Sequence, residues 1–211
     1  MTLVKICGIT SVEDALLAIA AGADALGLNF VPSSKRLISP ATAAHIVDSV
    51  GDLVEMIAVV ANRSTSDLED LREATGIRWL QLHGDELPAE VQAVLPEAFK
   101  AIPIGSAADV ASASGFPGER LLIDAKSPTD LGGTGTSFDW SLPGVAALVE
   151  QRNVIVAGGL RPENVAEAVL KLRPFGVDVA SGVEAPGNPR KKDEQRLRAF
   201  VNAVRSADAK R

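Results

Sequence analysis

The sequence predicts a closed (βα)8 barrel, an α/β fold built as one domain over residues 1–211. Three observations predict it. Eight short β-branched or leucine-rich runs alternate with alanine-rich stretches of helical period. Strict strand–helix alternation implies parallel pairing with helices outside the sheet. An open doubly wound sheet is the competing arrangement, but its first turn would carry a G-x-G-x-x-G fingerprint. The first turn here is Cys7-Gly8-Ile9-Thr10.

The eight runs are Leu3–Cys7, Ala25–Phe30, Val54–Val60, Trp79–His83, Phe99–Ile102, Leu121–Asp124, Val154–Ala157 and Val177–Ala180. The first leads into Thr10-Ser11-Val12-Glu13-Asp14, which resembles a capping box. The second leads to Ser39-Pro40, an N-cap serine with proline at the first helical position. The third leads to Ser64-Thr65-Ser66-Asp67, and the seventh to Arg161-Pro162-Glu163-Asn164. Gly22, Gly51 and Gly76 stand where helices should stop.

Composition narrows the function classes. With 46% apolar residues the chain can bury a sizeable core. A net charge of −6 argues against a nucleic-acid or anionic-membrane surface. It leaves room for an anionic small substrate, because a pocket of backbone N–H groups can oppose the global sign. The single cysteine, Cys7, excludes an intrachain disulfide and an all-cysteine metal site. The start, MTLVKICGIT, reads as neither a signal peptide nor a transmembrane segment, so a cytoplasmic protein is expected.

In such a barrel the active site lies at the C-terminal ends of the strands. On the first strand Leu3, Lys5 and Cys7 share one face. A lysine is ill placed between strand and helices, so Lys5 and Cys7 are expected inside, with the thiol at the mouth. A nearby cation stabilises a thiolate, the form that acts as base or nucleophile; equally, Cys7 can be a small buried apolar residue and Lys5 an ion-pair partner. Asp124 closes a fully apolar run. It reads as an acid of raised pKa or as a carboxylate capping loop amides, and the strand alone does not choose.

The glycines carry more when taken together. Gly158-Gly159 follows the seventh strand and Ser181-Gly182 the eighth, the two loops that often form a phosphate site in this fold. Gly132-Gly133-Thr134-Gly135 lies in the loop after the sixth. Three such runs on one rim point to a phosphorylated substrate. Arg36 stands in the loop after the second strand; if it folds inward, its planar fork suits a carboxylate. His83 reads as a loop-ordering residue and His45 as a helix-surface residue, while the face of Asp178 is undetermined.

Lys5-Ile6-Cys7-Gly8-Ile9-Thr10, Phe30-x-Pro32-x-Ser34-x-Arg36 and Gln81-Leu82-His83-Gly84-Asp85-Glu86 resemble signatures of the phosphoribosylanthranilate isomerases. So do Gly22-Ala23-Asp24-Ala25, Leu122-Ile123-Asp124, Gly132-Gly133-Thr134-Gly135 with Phe138-Asp139-Trp140, Ala157-Gly158-Gly159-Leu160, Val177-Asp178-Val179 and Ser181-Gly182-Val183-Glu184. Together these span nearly the whole chain in order. The resemblance implies an Amadori rearrangement of N-(5-phosphoribosyl)anthranilate in tryptophan biosynthesis, with no metal or organic cofactor. It implies Cys7 as general base and Asp124 as general acid. Arg36 would bind the anthranilate carboxylate; Gly158, Gly159, Ser181 and Gly182 would bind the phosphate. The expected partner is a phosphorylated small molecule, without nucleic acid or membrane, on a monomer or homodimer.

There are two departures from the family pattern. Ala61-Asn62-Arg63 stands where phenylalanine-valine-asparagine is usual, and the segment 186–193 is longer than the common form. The nearest alternative is the related histidine-pathway aminoaldose isomerase, which generally has an aspartate where Cys7 stands. Indole-glycerol-phosphate synthase would bring a lysine acid and a longer N-terminus. A non-catalytic phosphate-sensing barrel would explain the glycines but leave Cys7 and Asp124 without a role.

Overall fold

The computed structural model describes residues 1–125 and 140–211. Eight parallel strands close in sequence order into a barrel. They are β1 (Leu3–Cys7), β2 (Ala25–Asn29), β3 (Glu55–Val60), β4 (Trp79–Leu82), β5 (Ala98–Ile104), β6 (Arg120–Ala125), β7 (Asn153–Val156) and β8 (Gly176–Val179). Between them run α1 (Val12–Ala21), α2 (Pro40–Val50), α3 (Thr65–Thr75), α4 (Pro88–Ala93), α5 (Ala107–Ala113), α6 (Val145–Gln151) and α7 (Val165–Leu172). After β8 come one 3₁₀ turn (Ser181–Val183), a small antiparallel hairpin of β9 (Glu184–Ala185) and β10 (Asn188–Lys192), and the long α8 (Glu194–Asp208). Each of the eight strand runs read from the sequence falls on its strand, with ends shifted by at most two residues. The β9–β10 hairpin has no sequence signal: Asn188-Pro189-Arg190-Lys191-Lys192 has no apolar alternation, and among the described residues its strands pair only with each other.

Local chemistry sets the helix starts. The hydroxyls of Ser11, Ser39 and Ser64 each accept from the amide three residues on, those of Asp14, Thr42 and Asp67, satisfying a donor the helix cannot. Gly22, Gly51 and Gly76 end their helices as expected. Helix α7 starts after Asn164, the last residue of the segment that follows the seventh run, and its N-cap side chain makes no capping bond. The Asn164 side chain turns back instead, accepting from the Arg161 amide at 2.8 Å and donating to the Gly159 carbonyl at 3.0 Å.

Two apolar cores follow from strand alternation. The larger lies between strands and helices. The smaller fills the barrel with Ala25, Ile57, Phe99, Ala101, Leu122, Ile155 and Ala157. Register puts Lys5 beside Ala25 on one side and Asp178 on the other. Lys5 is therefore inside, as expected, and fully buried. Asp178 shares that face and accepts from Lys5 Nζ at 2.8 Å. Breaking such a buried pair by removing one partner costs about 3–5 kcal/mol.

At the opposite, N-terminal end of the barrel, Arg120 bonds Glu55 at 2.7 Å and lies 4.2 Å above the Trp79 ring, with Phe99 and Phe175 beyond. This guanidinium, stacked on aromatic faces, closes the floor.

Candidate active site

The C-terminal ends of β1, β4, β6 and β8 bring Cys7, His83, Asp124 and Asp178 to one mouth. Cys7 and Lys5 stand two residues apart on β1 and converge beside Gly27 of β2. A side chain at Gly27 would place its Cβ 2.8 Å from Lys5 Nζ and 2.9 Å from Cys7 Sγ. The bare backbone there is what lets the ammonium and the sulfur sit inside the barrel together.

The expected effect of Lys5 on the thiol is present but outweighed. Burial pushes the Cys7 thiol above its ordinary value; Lys5 pulls it down, and the Asp178 charge pushes it up again. Lys5 itself stays charged: burial disfavours its ammonium, but Asp178 and Cys7 together raise its pKa. A buried thiol at rest and a buried cation beside it are the result.

Asp124 carries features of both sequence readings, a raised carboxyl and a backbone amide, that of Ala125, bonded to it. Its carboxyl is pushed up to about 6, chiefly by burial and then by the Asp178 charge, against the Ala125 amide and Lys5. Gly158, at φ +84°, backs it closely: a Cβ there would lie 2.3 Å from the Ala125 nitrogen and 2.8 Å from Asp124 Oδ1. So Gly158 both adopts a left-handed backbone and leaves the space the carboxyl occupies. His83 Nε2 lies 3.9 Å from Asp124 Oδ2, too far for a hydrogen bond. Its other ring nitrogen faces the buried Gln81 amide at 2.9 Å. Desolvation and the Lys100 charge lower the His83 pKa, favouring the neutral ring. Lys100 also orders the loop: it bonds the Leu82 and Gly84 carbonyls and the Glu86 carboxylate. His83 thus stands at the mouth on a loop that Lys100 also holds.

Arg36 folds inward. Its stem lies against the Gly8 backbone, where an added Cβ would meet Arg36 Cδ at 2.3 Å. Its Nε donates to Glu184 Oε1 at 2.5 Å. Glu184 also faces Lys192 Nζ at 3.5 Å, and Lys192 is almost wholly buried. Neither Glu184 nor Lys192 was singled out from the sequence as a site residue. Glu184 closes the Ser-Gly-Val-Glu signature and Lys192 stands in a basic run, but neither gives a role at the mouth; the return of the hairpin places them there. On the far rim, the backbone at Gly182 packs against the Leu160 carbonyl, 2.1 Å from a Cβ built at Gly182. The loops after β7 and β8 therefore adjoin, with Gly159 and Ser181 on them. His45 is exposed on α2, as read. Gly132-Gly133-Thr134-Gly135 and Phe138-Asp139 lie outside the described residues; Trp140 is buried.

With a thiol, a raised carboxyl, an inward arginine and two adjoining glycine turns on one rim, the comparison with known proteins becomes specific. Residues 4–203 match the family model described as N-(5'phosphoribosyl)anthranilate (PRA) isomerase. The chain belongs to the phosphoribosylanthranilate isomerase family. It is 40% identical over 201 residues to the N-(5'-phosphoribosyl)anthranilate isomerase of Citrifermentans bemidjiense, covering 95% of this chain and 96% of that one. It is 44% identical over 209 residues to that of Myxococcus xanthus, covering 96% of each. Among solved structures it resembles the phosphoribosyl anthranilate isomerase of Thermotoga maritima. There the TM-score is 0.88 at 36% identity, covering 98% of this chain and 100% of that one. A phosphoribosyl anthranilate isomerase in complex with reduced 1-(o-carboxyphenylamino)-1-deoxyribulose 5-phosphate is similar at a TM-score of 0.85 and 33% identity, covering 98% and 100%. No helix among the described residues of this family member is long and apolar enough to cross a membrane.

Proposed function

We propose that the chain, as one catalytic unit over residues 1–211, converts N-(5-phosphoribosyl)anthranilate to 1-(2-carboxyphenylamino)-1-deoxyribulose 5-phosphate by an Amadori rearrangement in tryptophan biosynthesis. The observation that carries this reading is that Cys7 and Asp124 both stand around the buried Lys5–Asp178 pair inside one mouth of the barrel. The family membership supports it. The substrate is a phosphorylated small molecule, and the protein works in the cytoplasm as a monomer or homodimer.

The chemistry needs one acid and one base. Asp124 protonates the furanose ring oxygen as the amine nitrogen's lone pair expels it, so the C1–O bond breaks and a C1=N iminium forms. The Cys7 thiolate then takes the C2 proton, and the C2–H electrons move into C1=C2 while the C=N electrons return to nitrogen. The resulting enolamine tautomerises to the aminoketone. Productive chemistry requires Asp124 protonated and Cys7 ionised. With the carboxyl near 6 and the thiol above its ordinary value, that arrangement is the minor form of the pair at neutral pH. Lys5 first, and Lys192 after it, oppose the cost of the thiolate.

Binding falls to other groups. Arg36 takes the anthranilate carboxylate from one side of the mouth. The backbone of Gly158, Gly159, Ser181 and Gly182 takes the phosphate from the other. Purified protein from a host lacking its own isomerase is expected to turn over freshly made N-(5-phosphoribosyl)anthranilate saturably and to favour it strongly over the dephosphorylated form. Product formation followed by chromatography checks this. Absence of turnover, or equal turnover of both forms, contradicts the substrate assignment.

A further inference from the structure

The β9–β10 hairpin grips the mouth at three points. At its tip side, Arg190 Nη1 donates to the Lys35 carbonyl at 3.3 Å and the Leu37 carbonyl at 2.9 Å, the residues on either side of Arg36. Its own carbonyl accepts from Thr10 Oγ1 at 2.6 Å, tying in the loop after β1. At its base, Glu184 takes Arg36 Nε, and Lys192 backs Glu184 while donating to the Ala180 carbonyl at 3.1 Å. The hairpin thus holds the backbone around Arg36 and one nitrogen of its guanidinium.

We propose that this hairpin is a positioning device for Arg36, with Glu184 and Arg190 as its positioning residues, and that it sets the preference for a substrate bearing an aryl carboxylate. This rests on the reading of Arg36 given above. A guanidinium can meet a carboxylate side-on, through Nε and one terminal nitrogen, or end-on, through both terminal nitrogens. Glu184 occupies Nε, so only the end-on fork remains. Among the described residues neither terminal nitrogen of Arg36 has a hydrogen bond. Lys192 completes the electrostatics. Arg36 with Glu184 alone would be neutral; burial disfavours the Lys192 ammonium and Glu184 favours it, and in its charged form the trio is net positive, so the fixed fork still attracts an anion.

Charge and geometry predict opposite signs, which makes the proposal testable. Glu184→Ala removes a negative charge from the mouth. If charge alone governed binding, the KM for N-(5-phosphoribosyl)anthranilate would fall. Positioning predicts that it rises about tenfold, the scale of one lost charge-assisted hydrogen bond. Glu184→Gln, which can still accept from Nε, should recover part of the loss. Arg190→Ala, at an exposed residue whose loss leaves the core intact, should raise KM by about threefold, the low end of one net hydrogen bond. In each variant the rise in KM should exceed any fall in kcat, because neither side chain is the acid or the base.

The same variants, measured on the phosphoribosyl-aniline analogue that lacks the carboxylate, should match the parent. An unchanged or lower KM in Glu184→Ala, or an equal loss on both substrates, would overturn the proposal. Arg36→Ala, run alongside, separates the two levels. If it keeps the preference for the carboxylated substrate, the assignment of Arg36 fails and the proposal with it. If it loses that preference while Glu184→Ala and Arg190→Ala retain it, the hairpin proposal alone fails.

Discussion

Asp124→Asn is expected to reduce turnover by about 10²–10⁴-fold, the range for losing a positioned acid, while a product analogue binds with nearly the parent affinity. The amide keeps the size and planarity of the carboxyl and removes its proton. At neutral pH a carboxyl of pKa about 6 is protonated in roughly a tenth of molecules, enough to serve as an acid at every turnover. An aspartate of ordinary pKa would be protonated in fewer than about one in a thousand. The raised value comes from burial and from Asp178, groups the barrel itself supplies. Loss of turnover with intact binding, read by steady-state kinetics and calorimetry, identifies a group acting in the transition state alone. Parallel loss of binding would instead mark Asp124 as a binding residue.

Cys7→Ser is the second large effect. Turnover should fall by at least about 10²-fold, again with analogue binding retained. Burial already pushes the Cys7 thiol above its ordinary value despite Lys5. An alcohol at the same place starts from a far higher pKa and meets the same desolvation, so Lys5 cannot bring it within reach. The substitution keeps the residue small and its backbone unchanged beside Gly27, so the fold should survive it. Near-normal turnover, on protein shown free of host isomerase, would return Cys7 to the role of a small buried apolar residue.

The barrel was legible because its determinants are local and repeated. Short β-branched or leucine-rich runs, serine N-caps at residues 11, 39 and 64 and helix-ending glycines all act over a few residues. Strand alternation from Lys5 alone placed Cys7 inside. The positions of Asp124 and the glycine turns followed from strand ends. What was not legible depends on pairs far apart in the chain. Asp178 shares Lys5's face only once β8 closes on β1, 173 residues away in sequence. Glu184 reaches Arg36 across 148 residues. Arg120 and Glu55, on opposite parts of the chain, meet only at the barrel floor.

The sign of the Cys7 shift was also out of reach. A neighbouring cation can be counted from sequence, but the opposing cost of burial needs the closed mouth around the sulfur. The same holds for His83, whose ring faces Asp124 only because the Lys100–Glu86 pair and its carbonyl partners hold the loop after β4. Both residues were visible as candidates; the balance of forces on them was not.

The most direct measurement uses the fact that Cys7 is the chain's only cysteine. Alkylation by iodoacetamide, counted by mass spectrometry while residual isomerase activity is followed, reports one thiol with no background. Activity should fall in step with one label per chain, a bound product analogue should slow both, and the labelling rate should climb with pH to a midpoint above that of an ordinary thiol. Full labelling of Cys7 with activity retained would contradict its place as the base at this mouth.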